Sequence, residues 1–198
     1  MYLTFTSNCI LNRGFLKIKF QNRLKRNASR SKEKRRLAKI SVDGVDLLKK
    51  EDFPFDPKYA SHKFGNSPAF SYEISLSIVS YDVVWVNGPF KGGSPDLNNF
   101  RYGGLKEVLA RCNEMVVADS GYRDERVRLR NEGPHEERNM NSLIRARQET
   151  VNQRIKNFGC MSQRWRGKKH DHFAFLQAVI GLVQIELKYK PLMKLNGT

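Results

Sequence analysis

Phe70-Ser71-Tyr72-Glu73-Ile74-Ser75-Leu76-Ser77-Ile78 places five apolar side chains on one side of an extended backbone and Ser, Glu, Ser, Ser on the other. Strict alternation over nine residues is the signature of a β-strand, because successive side chains of a strand point to opposite faces. Working outward, Val83-Val84-Trp85-Val86 is a short apolar run between Asp82 and Asn87-Gly88-Pro89, which predicts the next strand. The Tyr81-Asp82 link is short enough for a hairpin. Upstream, Lys39 to Asp46 alternates and meets Gly44, predicting a first strand that ends in a turn. Downstream, Gly92-Gly93-Ser94-Pro95-Asp96 opens a helix that Gly103-Gly104 interrupts. Met115 to Asp119 reads as a buried fourth strand closed by Ser120-Gly121. Arg123 to Asn139 reads as a charged loop, and helices follow over about 141–158 and 171–187. The predicted class is α/β, a mixed sheet with helices packed on it.

The chain has 198 residues with 39% apolar and 11% aromatic residues, enough for one domain with a core and too many for a wholly disordered chain. Its net charge of +16 calls for a polyanionic partner, nucleic acid before an anionic membrane surface. The charge is concentrated. Residues 1–39 hold twelve Lys and Arg against the single acid Glu33, whereas residues 40–198 hold 24 bases and 19 acids. The chain therefore divides into a basic, flexible arm over 1–38 and a folded domain over 39–198. Lys25-Arg26 and Lys34-Arg35-Arg36 are the arm's candidate phosphate contacts or nuclear address. Three widely spaced cysteines outside any CxxC pair argue against a disulfide scaffold and a zinc ribbon. No apolar run reaches the ~18 residues of a membrane span.

Asp43 and Asp119 fall at predicted strand ends, each beside a glycine-containing turn, where open α/β sheets place active groups. Two carboxylates brought together need a compensating cation, which points to a divalent metal such as Mg²⁺. Taken singly, an Asp before a Gly-containing turn is more often a turn residue or cap. Glu149 lies beside Arg145, Asn152 and Lys156 on the wheel of the 141–158 helix, opposite Ile144, Val151 and Ile155. That face reads as solvated, with Arg145–Glu149 an ordinary i,i+4 pair. Arg145, Arg147, Arg154 and Lys156 either contact phosphates or only solubilise the helix.

Four segments then occur in order: Val42-Asp43-Gly44; Trp85 to Phe90 followed by Gly93-Ser94-Pro95-Asp96-Leu97; Val117-Ala118-Asp119-Ser120-Gly121-Tyr122; and Arg145 to Lys156. Over residues 39–190 this resembles the DDE-superfamily endonuclease domain of Harbinger/IS5-type transposases and their domesticated relatives. The resemblance implies an RNase H-like mixed sheet flanked by helices. It makes Asp43, Asp119 and Glu149 the catalytic and metal-binding triad, spaced by 76 and 30 residues, with Asp96 a supporting acid. It also implies Mg²⁺ or Mn²⁺, two-metal cleavage of phosphodiester bonds in DNA, a nuclear protein in a eukaryote, and help from a separate Myb-like DNA-binding protein. The family's helix-turn-helix region does not fit into residues 1–38, so the chain reads as a truncated copy. Two other readings stand beside the nuclease: a catalytically inactive, transposase-derived DNA-binding protein, and a basic RNA-binding protein.

Cys160, His170 and His172 match no standard zinc spacing. Trp165, among Arg164, Arg166, Lys168 and Lys169, either stacks on a base or covers a helix end. Residues 173–187 are too apolar for a narrow stripe. They form either a buried helix closing the core or a homodimer surface.

Overall fold

The computed structural model describes residues 38–80 and 82–195. The arm's clusters Lys25-Arg26 and Lys34-Arg35-Arg36 lie outside them. Three long strands, β1 (Ile40–Leu48), β3 (Ser67–Ser77) and β4 (Val83–Lys91), form an antiparallel meander, and a two-residue β2 (Ala60–Ser61) pairs with the start of β3. Helices α1 (Asp96–Tyr102) and α2 (Leu105–Cys112) follow, separated at Gly103-Gly104 as the sequence predicts. Then come β5 (Val116–Ala118), β6 (Val127–Leu129), α3 (His135–Lys156), the single turn α4 (Gly159–Ser162) and α5 (Lys169–Tyr189). β5 runs parallel to β1, and β6 parallel to β5. Across the sheet the long order is β4-β3-β1-β5-β6.

The mixed α/β class agrees with the sequence reading, β2, β6 and α4 add to the predicted elements, and several local details differ. β1 does not turn at Gly44 but runs straight through it, so Asp43 sits mid-strand, opposite Ile74 of β3. Gly44 serves a close approach: a Cβ there would collide with the carboxylate of Asp96. The Arg123–Asn139 loop contains β6, whose three residues are too few to show a period, and α3 starts six residues before Asn141. β3 is buried on both faces. Alternation implied one wet face, but Ser71, Glu73, Ser75 and Ser77 are covered as well.

The reason is a layer of helix on each side. On one face Val45, Leu47, Tyr72, Ile74 and Leu76 pack against Val151 and Ile155 of α3 and Leu176, Val179 and Val183 of α5. On the other, Ile40, Val42, Trp85 and Val116 pack against Phe100 of α1 and Leu105 and Leu109 of α2. Trp85 caps the polar face of β3 by donating Nε1 to Glu73 at 2.9 Å. Among the described residues no helix is long and apolar enough to cross a membrane.

Candidate active site

The site begins with register. Ser41 of β1 pairs with Val117 of β5, and both strands point the same way. Two residues on in the chain stand Asp43, still within β1, and Asp119, just past the end of β5, so parallel pairing alone brings 43 and 119 side by side. Helix α3 crosses there and is pinned by Gln148, which is fully buried. Gln148 accepts from Ser41 Oγ at 2.7 Å and donates to the Ile74 carbonyl at 3.3 Å. Side chains one turn either side of that pin, Arg145 and Asn152, therefore face β1. Glu149, next to Gln148, leans over the rim.

Arg145 is the centre of the arrangement. Its Nη1 lies 3.2 Å from Oδ1 of Asp43, and its Nη2 lies 3.6 Å from both Oδ2 of Asp119 and Oε1 of Glu149. The last two oxygens share one nitrogen, so they can be no farther apart than twice that distance. Asn152 donates Nδ2 to the other oxygen of Asp43 at 2.9 Å. The arginine is buried, while Asp119 and Glu149 are more than half exposed at the mouth. Burial works against the guanidinium's charge, yet the carboxylates of Asp43, Asp119 and Glu149 hold its pKa above the ordinary arginine value. The contact is electrostatic rather than tightly directional, because Nε and Nη1 of Arg145 make no aligned hydrogen bond.

These groups line an open cleft of about 450 Å³. Its opposite wall carries a second charge set. Lys63 lies 3.4 Å from Asp96 and 3.8 Å from Asp46, and donates to the Gly44 carbonyl at 3.0 Å. Asp46 is buried and accepts from Ser61 Oγ at 2.5 Å. Burial raises the Asp96 carboxyl pKa, Lys63 lowers it, and Asp46 and Asp43 add to the rise. Lys156 reaches the same wall with its Nζ over the Phe64 ring, and burial, with Lys63 nearby, pulls its pKa down. Behind the cleft, Glu73 and Tyr122 are each only 1% exposed, and Glu73 Oε1 and the Tyr122 hydroxyl have no hydrogen-bond partner. Burial pushes the Glu73 carboxyl up to about 8, against the Trp85 hydrogen bond and helped by Asp96.

The structure thus brings Asp43, Asp119 and Glu149 to one cleft and puts Asp96 on its far wall. The helix face around Arg145, read as solvated, is turned inward. Arg147 corrects its reading as a phosphate contact: it is 4% exposed and donates to the Ile78 and Ser80 carbonyls, strapping α3 to the sheet. Arg154 donates to the Lys190 carbonyl at 2.9 Å and ties α3 to the end of α5. Lys156 faces the cleft. Lys63 and Asp46 escaped the sequence reading, which places Asn152 beside Glu149 on the wheel without a role. Asn152 had a signal, since it lies one turn from Gln148 and two from Arg145. Lys63 had none, because a three-residue 3₁₀ turn between β3 and the two-residue β2 sets its direction.

His172 is fully buried, its Nδ1 2.6 Å from the Tyr72 hydroxyl, and burial lowers its pKa to about 4. Trp165 lies edge-on to His172 and against Phe175 at the start of α5, covering a helix end. Among the described residues no group of three or more His, Cys, Asp or Glu side chains is close enough to hold a metal ion. With Arg145 between them, the three acids stand apart.

Comparison with family models, with curated proteins and with solved structures finds no match to this chain.

Proposed function

We propose that residues 39–198 form a DDE-type, metal-dependent DNA endonuclease domain of the transposase kind, with an RNase H-like sheet. The observation that carries this reading is the convergence of Asp43, Asp119 and Glu149, from two parallel strands and a crossing helix, on one guanidinium. The sheet supports it: an antiparallel three-strand meander is continued by two short parallel strands in the order β4-β3-β1-β5-β6, a mixed sheet with helices on both faces.

The donor set suits Mg²⁺ or Mn²⁺. All three side chains offer hard carboxylate oxygens, two of them at an open mouth, and Asn152 fixes the orientation of Asp43. For such an ion to draw the acids together, the Arg145 guanidinium has to leave the centre. The metal, when bound, would supply charge for the attacking and leaving oxygens of a phosphodiester. The chain's own residues do the rest. Asp43, held by Asn152, gives a fixed carboxylate at the cleft floor. Asp119 and Glu149 reach from the rim. Arg145, released from the acids, is placed to meet a phosphate oxygen. Lys156 offers a charge to the flanking backbone.

The partner is DNA, with Lys25, Arg26, Lys34, Arg35 and Arg36 adding affinity without sequence preference, and a Myb-like protein supplying specificity in a nuclear setting. The test is nicking of supercoiled DNA in Mg²⁺ or Mn²⁺. Activity that falls to background in Asp119→Ala supports the reading. Equal nicking by wild type and Asp119→Ala overturns it.

One observation favours a second reading, a catalytically inactive DNA-binding protein. Arg145 already lies against all three acids and offsets part of their charge, and solvent screens the two exposed ones, so the cluster can persist without a cation. That reading predicts salt-dependent DNA binding with no nicking in any divalent ion.

A further inference from the structure

Helix α5 has two apolar faces, and the sheet uses only one. Leu176, Val179, Ile180, Val183 and Leu187 enter the core. Phe175, Ala178, Leu182, Ile185 and Tyr189 are exposed on the opposite side. Their spacing alternates three and four residues over two full heptads, which is the pattern of a coiled-coil seam. No charged residue interrupts it, and Gly181, beside Leu182, has open space above its Cα.

We infer that this face pairs with the same face of a second copy of the chain, the two α5 helices antiparallel and related by a two-fold axis through Leu182. Antiparallel apposition is the self-complementary choice. It sets Phe175 against Tyr189 of the partner subunit, small Ala178 against the partner's Ile185, and Leu182 against the partner's Leu182. Aromatic meets aromatic and small meets large, as interdigitating layers require. The acidic first turn of one helix, with Asp171, runs toward the basic last turn of the other, with Lys188. Parallel pairing would put Lys188 beside the partner's Lys188 and Ala178 against the partner's Ala178, joining like charges and leaving a gap.

The area is consistent with a reversible dimer. Phe175, Leu182, Ile185 and Tyr189 are 49%, 52%, 54% and 83% exposed, and Ala178 adds to them. For side chains of this size that is on the order of 500–600 Å², against about 800 Å² per partner in a standard interface. This favours association in the micromolar range over a permanent dimer. The surface does not depend on the nuclease reading, and its test does not measure activity.

Sedimentation equilibrium of the full chain from about 5 to 200 μM, the range in which micromolar dimers form, should show a monomer–dimer equilibrium. Leu182→Glu and Ile185→Glu, at exposed positions, should each return the chain to monomer with unchanged circular dichroism. Under oxidising conditions Leu182→Cys should cross-link to itself in a yield far above wild type. Phe175→Cys should do so only when mixed with Tyr189→Cys. A wild-type chain that stays monomeric throughout, a dimer that survives both glutamate substitutions, or efficient Phe175→Cys self-cross-linking would overturn the inference. So would a monomer whose α5 face binds anionic vesicles and loses that binding in Leu182→Glu.

Discussion

Replacing Glu73 with glutamine should stabilise the protein, and by an amount set by pH. Glu73 is 1% exposed, one oxygen accepts from Trp85 and the other has no partner. Its carboxyl is raised from 4.5 to about 8, chiefly by burial. The folded protein therefore keeps Glu73 protonated at pH 7, while the unfolded chain releases that proton above pH 4.5. A raised acid of this kind costs nothing below its unfolded value, and stability is lost as pH climbs from there toward 8. At about 1.4 kcal/mol per pH unit, the loss is below about 1 kcal/mol at pH 5 and on the order of 3 kcal/mol at pH 7. Glutamine has nearly the same shape, keeps an oxygen for Trp85 and carries no proton to lose. Guanidinium unfolding of wild type and Glu73→Gln at pH 5, 6, 7 and 8 should give curves that nearly coincide at pH 5 and separate steadily above it, the variant being the more stable. A difference independent of pH, or a variant weaker than wild type at pH 8, would mean that burial does not hold Glu73 protonated.

Gly44→Ala should destabilise by about 1–3 kcal/mol, because its Cβ would collide with the Asp96 carboxylate; thermal unfolding checks it, and the double variant Gly44→Ala with Asp96→Ala should recover most of the loss. Arg145→Gln leaves three acids facing one another, so it should lower stability by about 3 kcal/mol in chelator, and Mn²⁺ should raise the variant's melting temperature more than that of wild type. His172 acts in the opposite pH direction from Glu73. Its pKa is lowered to about 4, so its contribution is intact above the unfolded value near 6.5 and is lost as pH falls toward 4. Tyr72→Phe, which strips His172 Nδ1 of its hydroxyl partner, should cost about 1–3 kcal/mol at pH 7.5, read by denaturant unfolding.

The strands that build the sheet were legible because their residues alternate or run apolar, as in Phe70 to Ile78 and Val83 to Val86. The pattern could not reveal that the Ser and Glu face of β3 would also be covered, since the covering groups, Trp85, Phe100 and Leu109, come from segments after β3. β6 escaped because three residues carry no period. The acids Asp43, Asp119 and Glu149 were nameable, but their meeting depends on parallel register between β1 and β5, which no local window contains. Arg145 illustrates the limit best. On the helix wheel it belongs with Glu149 and Lys156 on a polar face, and a polar face normally meets water. Here it meets the carboxylates of Asp43 and Asp119 instead, and burial follows from the crossing of α3 over Asp43.

The proposed nuclease needs Asp43, Asp119 and Glu149 to act as one cation site. Titration of Mn²⁺ into the full chain, followed by the loss of the free-ion paramagnetic resonance signal, tests this most directly. Wild type should bind saturably, and each of Asp43→Asn, Asp119→Asn and Glu149→Gln should weaken binding at least tenfold. Asp124→Asn, at a carboxylate held by Arg101 and Lys106, should leave it unchanged. Binding that survives all three triad substitutions, or no binding to wild type, would contradict the shared site.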